Sequence, residues 1–214
     1  MNLEYATVCL SAEAPDAVDR AVDALRQGEV IAFPTDTVYG IGAHAFLPQA
    51  VARLYAVKGR PVGMAIPLLL SGTEALSLVC VDIPSLAWEI AVHFWPGALS
   101  LVLRRAPAVP DAVTDGGPTV AVRVPDHPLV RKLCQRLGAP LAATSANRHG
   151  RPSPVTAGDV HRALADRIPL ILDGGTCPGG VASTVLDLTV SPPAILRPGP
   201  VTAEQLAPFI SLAP

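Results

Sequence analysis

VIAFPTDTVYGIG, residues 30–42, is the stretch of sequence that decides the fold class of this chain. Its first four residues are apolar and predict a buried strand, which Pro34 ends. The polar segment that follows carries the hydroxyls of Thr35 and Thr37 and two closely spaced glycines, and α/β proteins place ligand-binding loops at this position. An ordinary strand-to-helix turn with local hydroxyl caps explains the same residues. The segment therefore favours an α/β fold and leaves a ligand loop and a plain turn as alternatives.

Helical and strand-like patterns mix on both sides of this stretch. Apolar residues at helical spacing predict helices, and short apolar runs bounded by proline or glycine predict strands. The second half is rich in strands, without a strict βαβ alternation, which favours an α/β fold with a twisted mixed sheet and helices packed on it. The predicted helices cover residues 15–27, 47–57, 84–94 and 127–137, with a short one from Thr202. The predicted strands cover residues 6–10, 30–33, 66–70, 99–103, 119–124, 141–144, 170–172, 183–188 and 194–196.

The composition limits the class of protein. Half of the 214 residues are hydrophobic and 16% are charged, with a formal net charge of −2. No flexible or charged linker interrupts the chain, so we expect a single domain over residues 1–214. No apolar run reaches the roughly 18 residues of a membrane helix, and the N-terminus lacks the basic flank of a signal peptide, which indicates a cytoplasmic protein with no membrane partner. The slightly acidic balance argues against nonspecific nucleic-acid binding by the whole surface.

The four cysteines, Cys9, Cys80, Cys134 and Cys177, are scattered and form no CxxC pair. This spacing suits neither a zinc site nor a disulfide framework, and reduced, mostly buried thiols are expected. Cys177 alone lies in a segment rich in glycine and proline, where an exposed thiol is an alternative.

Two short polar segments lie directly against apolar runs, Lys58-Gly59-Arg60 and Ser145-Ala146-Asn147. Cations on one side and hydroxyl and amide groups on the other are what a pocket for an anionic, nucleotide-like ligand needs. Each segment also has a plain structural explanation, because cations complement a helix C-terminus and Ser and Asn are common in turns. Lys58 is one of only two lysines among the sixteen lysine and arginine residues, which slightly favours a specific role for its ammonium group.

The strand over residues 119–124 places an arginine among apolar residues. Its period of two puts Thr119, Ala121 and Arg123 on one face, and an arginine beside a threonine can clamp a carboxylate. Extended geometry likewise puts Ala143, Ser145 and Asn147 on one face. A solvent-facing strand end explains Arg123 equally well.

Several common sites are excluded by their spacing. Gly40-x-Gly42 lacks the third glycine of a dinucleotide fingerprint, and the glycine-rich segment 174–184 lacks the GK[ST] ending of a phosphate loop. The chain contains no HExxH, GxSxG or kinase signature. We therefore expect chemistry that needs no activated nucleophile on the protein.

Taken together, these segments resemble the YrdC-like threonylcarbamoyl-AMP synthases in their short, single-domain form. Eight stretches occur in the order of that family, and together they cover nearly the whole chain outside the N-terminal helix. They are FPTDTVYGIG (33–42), LYAVKGRP (54–61), WPGALSLVL (95–103), VAVRVPDHP (120–128), PLAATSANRHGRPSP (140–154), ILDGG (171–175), STVLDLT (183–189) and ILRPGPVT (195–202).

The resemblance implies a concave basic pocket and a nucleotidyltransferase reaction. L-threonine, bicarbonate and ATP would give threonylcarbamoyl-AMP and pyrophosphate, with Mg²⁺ arriving on ATP rather than in a metal site of the protein. It implies a role in tRNA modification, in which the product passes to a tRNA threonylcarbamoyl transferase complex that acts on the adenosine beside the anticodon. Weak binding of tRNA itself is a further implied partnership.

The resemblance also implies roles for individual residues. The catalytic residues would be Lys58 and Arg60. The threonine-binding residues would be Thr35, Arg123, Ala143 and Ser183. The ATP-binding residues would be Lys58, Arg60, Thr119, Ser145, Asn147, Ser153 and Arg197.

Two departures from the family concern the pocket and the C-terminus. Some members carry a histidine shortly after the KxRP segment, whereas residues 62–71 of this chain contain none and have Met64, Ala65 and Leu69 in that region. Longer members add a C-terminal domain, whereas this chain ends fifteen residues after Gly199.

Two other functions are compatible with the sequence. An RNA-binding module would use a basic concave surface with Arg60, Arg123, Arg148 and Arg151, although an aromatic content of 4% argues against base stacking. A carbamoyl-adenylate-forming relative, as in hydrogenase maturation, normally lies inside a longer chain with zinc-finger cysteines, which this sequence lacks.

Overall fold

The computed structural model describes residues 5–59, 63–178 and 180–210. Its strands are β1 (Val8–Ser11), β2 (Ile31–Phe33), β3 (Gly40–His44), β4 (Leu68–Leu69), β5 (Leu99–Arg104), β6 (Thr119–Arg123), β7 (Leu141–Ser145), β8 (Leu170–Asp173), β9 (Thr184–Asp187) and β10 (Ala194–Arg197). Its helices are α1 (Ala17–Arg26), α2 (Pro48–Lys58), α3 (Leu76–Val79), α4 (Ser85–Phe94), α5 (Asp111–Thr114), α6 (Pro128–Leu137), α7 (Ala157–Leu164) and α8 (Ala203–Leu206), with a 3₁₀ turn at Thr73–Ala75.

All ten strands belong to one sheet, in the order β1-β8-β2-β3-β7-β4-β6-β5-β9-β10. β8 pairs in parallel with both β1 and β2, and the pairs β4–β6 and β5–β9 are also parallel. The remaining five neighbouring pairs are antiparallel. The predicted α/β fold with a mixed sheet and packed helices is therefore confirmed.

The strand alternation separates two hydrophobic cores on opposite faces of the sheet. In β6, Val120 and Val122 join the larger core, which contains residues of α2, α4 and α7. In β2, Phe33 joins the smaller core, which lies under α1 and α6. Because neighbouring residues of a strand point to opposite faces, Ala121 and Arg123 of β6 face the side of α1 and α6.

Helix α2 places Lys58 at its last residue. Pro48 opens the helix, where a missing N–H costs nothing, and Gly59 ends it in the left-handed region at φ 60°. The prediction that Lys58 and Gly59 end a helix is confirmed. Arg60 lies outside the described residues.

Although Gly40 still lines a cavity together with Thr35 and Thr37, the segment Gly40–Gly42 is the beginning of strand β3 and not part of a loop. The reason is packing against the preceding strand. A Cβ added at Gly42 would lie 2.9 Å from Cε1 of Phe33, and one at Gly40 would lie 3.1 Å from Cε2. The glycines therefore make room for an aromatic ring, while the loop itself is confined to residues 34–39.

Other differences from the sequence-based elements are local. The strand expected over 66–70 extends only over Leu68–Leu69. Helix α7 was not predicted, although Thr156 caps it through a hydrogen bond from the Asp159 N–H. The Cys177 side chain is buried rather than exposed, and the part of the chain that is described contains no helix long and apolar enough to cross a membrane.

Candidate ligand-binding site

A cavity of about 300 Å³ lies against strands β4, β5, β6, β7 and β9. It occupies the face to which Ala121 and Arg123 point, on the part of the sheet beyond α1 and α6. The cavity brings together side chains that are far apart in sequence. Six of the predicted site residues line it: Thr35, Arg123, Ala143, Ser145, Ser183 and Arg197.

Arg123 is a buried arginine at the end of β6, with 6% of its surface exposed. Its Nη2 donates to both carboxylate oxygens of Asp36, at 2.5 and 2.6 Å, and its Nε donates to the Gly97 carbonyl at 2.8 Å. Its Nη1 lies 3.4 Å from Oγ1 of Thr37. The guanidinium is therefore held by the loop after β2 and by the turn before β5 while it faces the cavity.

The surroundings of Arg123 also affect its protonation. Burial lowers the pKa of the guanidinium, the Asp36 carboxylate raises it, and the positive charge of Arg197 lowers it further. An arginine remains charged throughout the accessible range. The practical consequence is that two cations share one wall of the cavity, and that Asp36 supplies a nearby counter-charge to one of them.

The hydroxyl of Thr35 is used within its own loop. It donates to the Val38 carbonyl at 2.7 Å and accepts from the backbone N–H groups of Thr37 and Val38 at 3.1 and 3.2 Å. Because a hydroxyl has only one proton, Thr37 is the donor in the 3.0 Å contact between the two threonine hydroxyls. Thr35 therefore shapes the loop, and a ligand would have to displace one of these contacts to reach its oxygen.

Ser183 and Arg197 also line the cavity and contact each other directly. Oγ of Ser183 lies 2.9 Å from Oγ of Ser100, and Nη2 of Arg197 donates to it at 3.2 Å. Nε of Arg197 donates to the Ser183 carbonyl at 3.0 Å. This cluster presents hydroxyl groups beside a cation, which suits a carboxylate or a phosphate.

The two polar segments at residues 58 and 145–147 come into direct contact. Nζ of Lys58 donates to the Ser145 carbonyl at 2.6 Å, to Oγ of Ser145 at 3.1 Å and to Oδ1 of Asn147 at 3.1 Å. It also lies 3.2 Å from Oγ1 of Thr144. The Lys58 side chain is buried, so its charge acts on the cavity from behind Ser145.

Asn147 connects this cluster to a second cavity of about 390 Å³. Its Nδ2 donates to the carbonyls of Arg148 and Arg151, at 3.0 and 2.5 Å, and so orders the loop after β7. Asn147 and Ser153 line the second cavity and not the first. The structure therefore divides the predicted ATP residues, with Ser145 and Arg197 in one cavity and Asn147 and Ser153 in the other.

Thr119 lines neither cavity among the residues that the structure describes. It lies at the start of β6, paired with Arg104, on the same face as Ala121 and Arg123. The wall where some family members have a histidine is formed by Ala65, Pro67 and Leu69. The side chains of that wall are apolar, and Met64, next in sequence to Ala65, is exposed.

Sequence reasoning missed several polar residues at this site, among them Ser100 and Asp36. Ser100 lies in an apolar strand, and the alternation of Leu99, Ser100 and Leu101 is the signal that would have placed it opposite the core. Asp36 lies between Thr35 and Thr37, and a carboxylate in a loop after a buried strand is a signal for a partner of a buried arginine. Neither residue changes the expectation that the reaction needs no activated nucleophile on the protein.

The fold is that of an α/β protein with a mixed sheet, and a cavity of about 300 Å³ lies on one face of this sheet. A sequence profile of the Sua5/YciO/YrdC family, described as "Telomere recombination", matches residues 23–199. The chain belongs to this family.

Individual relatives give the same result. The chain is 43% identical to the threonylcarbamoyl-AMP synthase of Pyrococcus abyssi over 186 residues, which cover 87% of this chain and 55% of the relative. It is 44% identical to that of Bacillus subtilis over 197 residues, which cover 90% of this chain and 56% of the relative. The chain thus spans little more than half the length of these two relatives.

Solved structures resemble the whole described fold. The crystal structure of P. abyssi Sua5 complexed with L-threonine has a TM-score of 0.91 and 39% identity, and the match covers 97% of this chain and 62% of that one. The structure of Escherichia coli YciO has a TM-score of 0.82 and 24% identity, and covers 96% of this chain and 98% of that one. The second match supports the fold alone.

Proposed function

We propose that this protein is a threonylcarbamoyl-AMP synthase, which converts L-threonine, bicarbonate and ATP into threonylcarbamoyl-AMP and pyrophosphate. The proposal rests chiefly on one observation. Arg123, Ser183, Arg197 and Ser145 line one cavity of about 300 Å³, although they come from four different strands or their flanking loops. The names of the P. abyssi and B. subtilis relatives, and the threonine complex of P. abyssi Sua5, support the same activity.

In the proposed reaction, bicarbonate takes up a proton and loses water to give CO₂, and the amine of threonine adds to CO₂ to form a carbamate and release a proton. A carbamate oxygen then attacks the α-phosphorus of ATP, the bond from that phosphorus to the bridging oxygen breaks, and pyrophosphate leaves with the electron pair. Carboxylate, carbamate and triphosphate all carry negative charge. Positioning and preorganised cations should therefore supply most of the catalysis, without a nucleophile on the protein.

The threonine end of the substrate would bind in the cavity of about 300 Å³. The Arg123 guanidinium would hold the carboxylate, and the hydroxyl of Ser183 would hydrogen-bond threonine. Ala143 would contribute through its backbone carbonyl, because its N–H already donates to the Pro67 carbonyl at 3.0 Å. Thr35 would act mainly by shaping the loop, since its hydroxyl already has four contacts.

The nucleotide would extend from the same cavity toward the second one. Ser145 and Arg197 border the first cavity, and Asn147 and Ser153 border the second. Lys58 and Arg60 would hold the phosphates, the former through its charge behind Ser145 and the latter from its position next in sequence to Gly59. Thr119 would complete the nucleotide side as a residue of the same face of β6.

Mg²⁺ would accompany ATP as its phosphate-bound ion. No group of three or more His, Cys, Asp or Glu side chains among the described residues has the arrangement of a metal site. A hard cation that keeps several waters and binds chiefly to phosphate oxygens needs few protein ligands.

The wider role would be threonylcarbamoylation of tRNA. We infer that threonylcarbamoyl-AMP passes to a tRNA threonylcarbamoyl transferase complex in the cytoplasm, with tRNA as a weak partner of this protein. We also propose that residues 1–214 form one domain, because one sheet runs from β1 near the start of the described chain to β10 near its end.

The direct test measures pyrophosphate release with L-threonine, bicarbonate and ATP, and omits each substrate in turn. We expect release that needs all three, with threonylcarbamoyl-AMP identified by mass spectrometry. Isotope-labelled bicarbonate should appear in the carbamoyl group. Pyrophosphate release that ignores threonine would overturn the assignment, and tight RNA binding at physiological salt without any adenylate formation would favour an RNA-binding module.

A further inference from the structure

Asp36 touches the buried arginine of the candidate site from outside the cavity. Both of its carboxylate oxygens accept hydrogen bonds from Nη2 of Arg123, at 2.5 and 2.6 Å. Its own side chain is mostly buried, with 14% exposed, and it is absent from the described residues that line the cavity. Asp36 therefore contacts the cavity lining through its two hydrogen bonds from Arg123.

Counting donors shows what Arg123 has left for a ligand. A guanidinium has five N–H groups, of which one belongs to Nε and two to each Nη. Nε donates to the Gly97 carbonyl, Nη2 donates to both oxygens of Asp36, and Nη1 makes only the long contact to Thr37. Within the described part of the chain, Nη1 is therefore the guanidinium nitrogen with the weakest contacts and the one most available to a ligand.

The contact to Asp36 is also the strongest of these restraints. Charge-assisted hydrogen bonds are shorter and stronger than neutral ones, and the two contacts to Asp36 are shorter than the 2.8 Å contact to Gly97 and the 3.4 Å contact to Thr37. Without the carboxylate, the guanidinium would keep only one short hydrogen bond, from Nε to the Gly97 carbonyl. It could then rotate about its Nε–Cζ bond. A buried cation without a partner would then pair with any anion that enters, including a phosphate.

We propose that Asp36 is a positioning residue for amino-acid binding, which fixes Arg123 so that Nη1 alone meets the ligand carboxylate. This inference rests on the proposed function, because it takes L-threonine as the ligand. It differs from a bidentate clamp on the substrate, which the arginine alone would suggest. The carboxylate of the ligand would make one contact to Nη1 and complete its recognition through other groups of the cavity.

The kinetic test uses Asp36→Asn, which keeps the shape of the side chain and removes its charge. The Michaelis constant for threonine should rise about tenfold or more, whereas that for ATP should stay within about twofold of wild type. Asp36→Glu, which restores the charge, should recover part of the loss. Asp19→Asn is the matched control, because Asp19 forms an exposed ion pair with Arg136 and neither residue lines the cavity.

A general loss of structure would not give this pattern, because it would affect both substrates. An unchanged or lowered Michaelis constant for threonine in folded Asp36→Asn would overturn the proposal. A parallel rise of the constants for threonine and ATP would also overturn it, since that outcome indicates a purely structural role.

A second measurement uses the wild-type protein, so it does not depend on whether an Asp36 variant folds. Nuclear magnetic resonance of isotope-labelled arginine side chains, with the Arg123 signals assigned by Arg123→Lys, should show separate and slowly exchanging Nη1 and Nη2 resonances in the free wild-type protein. Added L-threonine should shift the Nη1 signals and leave the Nη2 signals in place. A single averaged Nη signal, or a shift confined to Nη2, would refute the positioning role.

The two measurements separate this inference from the proposed function. If the wild-type protein released no pyrophosphate, the proposed reaction would fail. Distinct Nη1 and Nη2 signals that shift selectively with L-threonine would still support the positioning role of Asp36. If the reaction proceeded but the Nη signals were averaged, the positioning role alone would fail.

Discussion

The ammonium of Lys58 lies 3.1 Å from Oδ1 of Asn147, although the two residues are 89 positions apart in the chain. The contact joins the end of α2 to the loop after β7. Oγ of Ser145 also donates to the same Asn147 oxygen at 2.5 Å. The position of the amide, and with it the loop that borders the second cavity, therefore depends on the lysine.

Replacing Lys58 with alanine should remove a positive charge and the hydrogen-bond donor to Ser145 and Asn147. The Ser145 carbonyl and Asn147 amide would lose a charged donor, which should lower the free energy of unfolding by about 1.5–3 kcal/mol. Pyrophosphate release should fall by at least about 100-fold, as expected for loss of an electrostatic contact to the phosphates. Pyrophosphate assays and urea denaturation would measure the two effects.

The control for this variant is the other lysine of the chain. Lys132 is exposed on α6, so Lys132→Ala should leave both activity and stability near the wild-type values. Arg60→Ala should lower pyrophosphate release to a similar extent as Lys58→Ala. Full activity of folded Lys58→Ala would contradict the phosphate role.

Asn147→Asp should distinguish the role of the amide oxygen as an acceptor from the role of the amide nitrogen as a donor. The carboxylate keeps acceptors for Lys58 but loses the Nδ2 donor to the carbonyls of Arg148 and Arg151. The Michaelis constant for ATP should rise about tenfold, because the loop loosens and a negative charge approaches the nucleotide. Faster cleavage by trypsin after Arg148 would report the loosening.

The matched control for the charge is Gln135→Glu, which makes the same amide-to-carboxylate change at an exposed position of α6. It should change neither the constant for ATP nor the rate of cleavage. An Asn147→Asp protein with an unaltered constant for ATP would argue against a nucleotide site at the second cavity.

Thr35→Val should destabilise the loop after β2. Valine keeps the shape of threonine but cannot accept from the N–H groups of Thr37 and Val38, so the loss should be about 1–3 kcal/mol in the free energy of unfolding. The constant for threonine should rise as well, since the loop carries Asp36. Thr35→Ser retains the hydroxyl and should stay close to wild type in both measurements, whereas a serine variant as impaired as the valine one would show that the methyl group matters instead.

His127 should make the folded protein less stable in acid. Burial lowers the pKa of its imidazole below the ordinary value of 6.5, and the nearby carboxylates of Asp36 and Asp126 only partly oppose this effect. Its Nδ1 is buried and has no hydrogen-bond partner among the described residues. As the pH falls, the imidazole therefore binds a proton in the unfolded chain at a higher pH than in the folded protein. His127 does not lower the free energy of unfolding above about pH 6.5, and it lowers this free energy progressively as the pH falls toward the lower folded pKa.

Thermal denaturation at about pH 7.5 and about pH 5.5 tests this sign. His127→Gln should lose less stability between the two conditions than wild type does. His149→Gln, which changes an exposed histidine, should behave like wild type. A steeper loss in His127→Gln would mean that protonated His127 stabilises the fold.

Gly42→Ala should crowd the interface between β2 and β3. Its Cβ would lie 2.9 Å from Cε1 of Phe33, and overpacking of this kind costs about 1–3 kcal/mol. Adding Phe33→Leu to Gly42→Ala should recover part of the loss, because it removes the ring that clashes. Gly158→Ala in α7 is the control and should be neutral or stabilising, since the nearest atom to its added Cβ lies 3.6 Å away.

Most of the secondary structure was predictable because each signal is local. The apolar residues of 17–26 and 128–137 repeat at helical spacing, and strands such as Leu99–Arg104 are short apolar runs. Strand β3 was missed because its glycines indicate a turn, whereas they serve the ring of Phe33 across the hairpin. Helix α7 was missed although Thr156 and Asp159 form a capping pattern at its start.

The candidate site was predictable in part for a different reason. The family resemblance named Arg123, Ser145, Ser183 and Arg197 in advance, and the sheet order brings their strands to one cavity. The same resemblance could not reveal that Ser153 borders a different cavity, because that depends on the path of the loop after β7.

By itself, the sequence determined the class of fold, the family and the identities of the charged and hydroxyl groups available for chemistry. These follow from hydrophobic periodicity and from residue order, which do not depend on distant contacts. Only the tertiary structure decided that Asp36 occupies Nη2 of Arg123, that the hydroxyl of Thr35 is used by its own loop, and that Lys58 reaches Asn147. Hydrogen-bond partners depend on distances of a few tenths of an ångström between segments that the chain brings together only when the sheet forms.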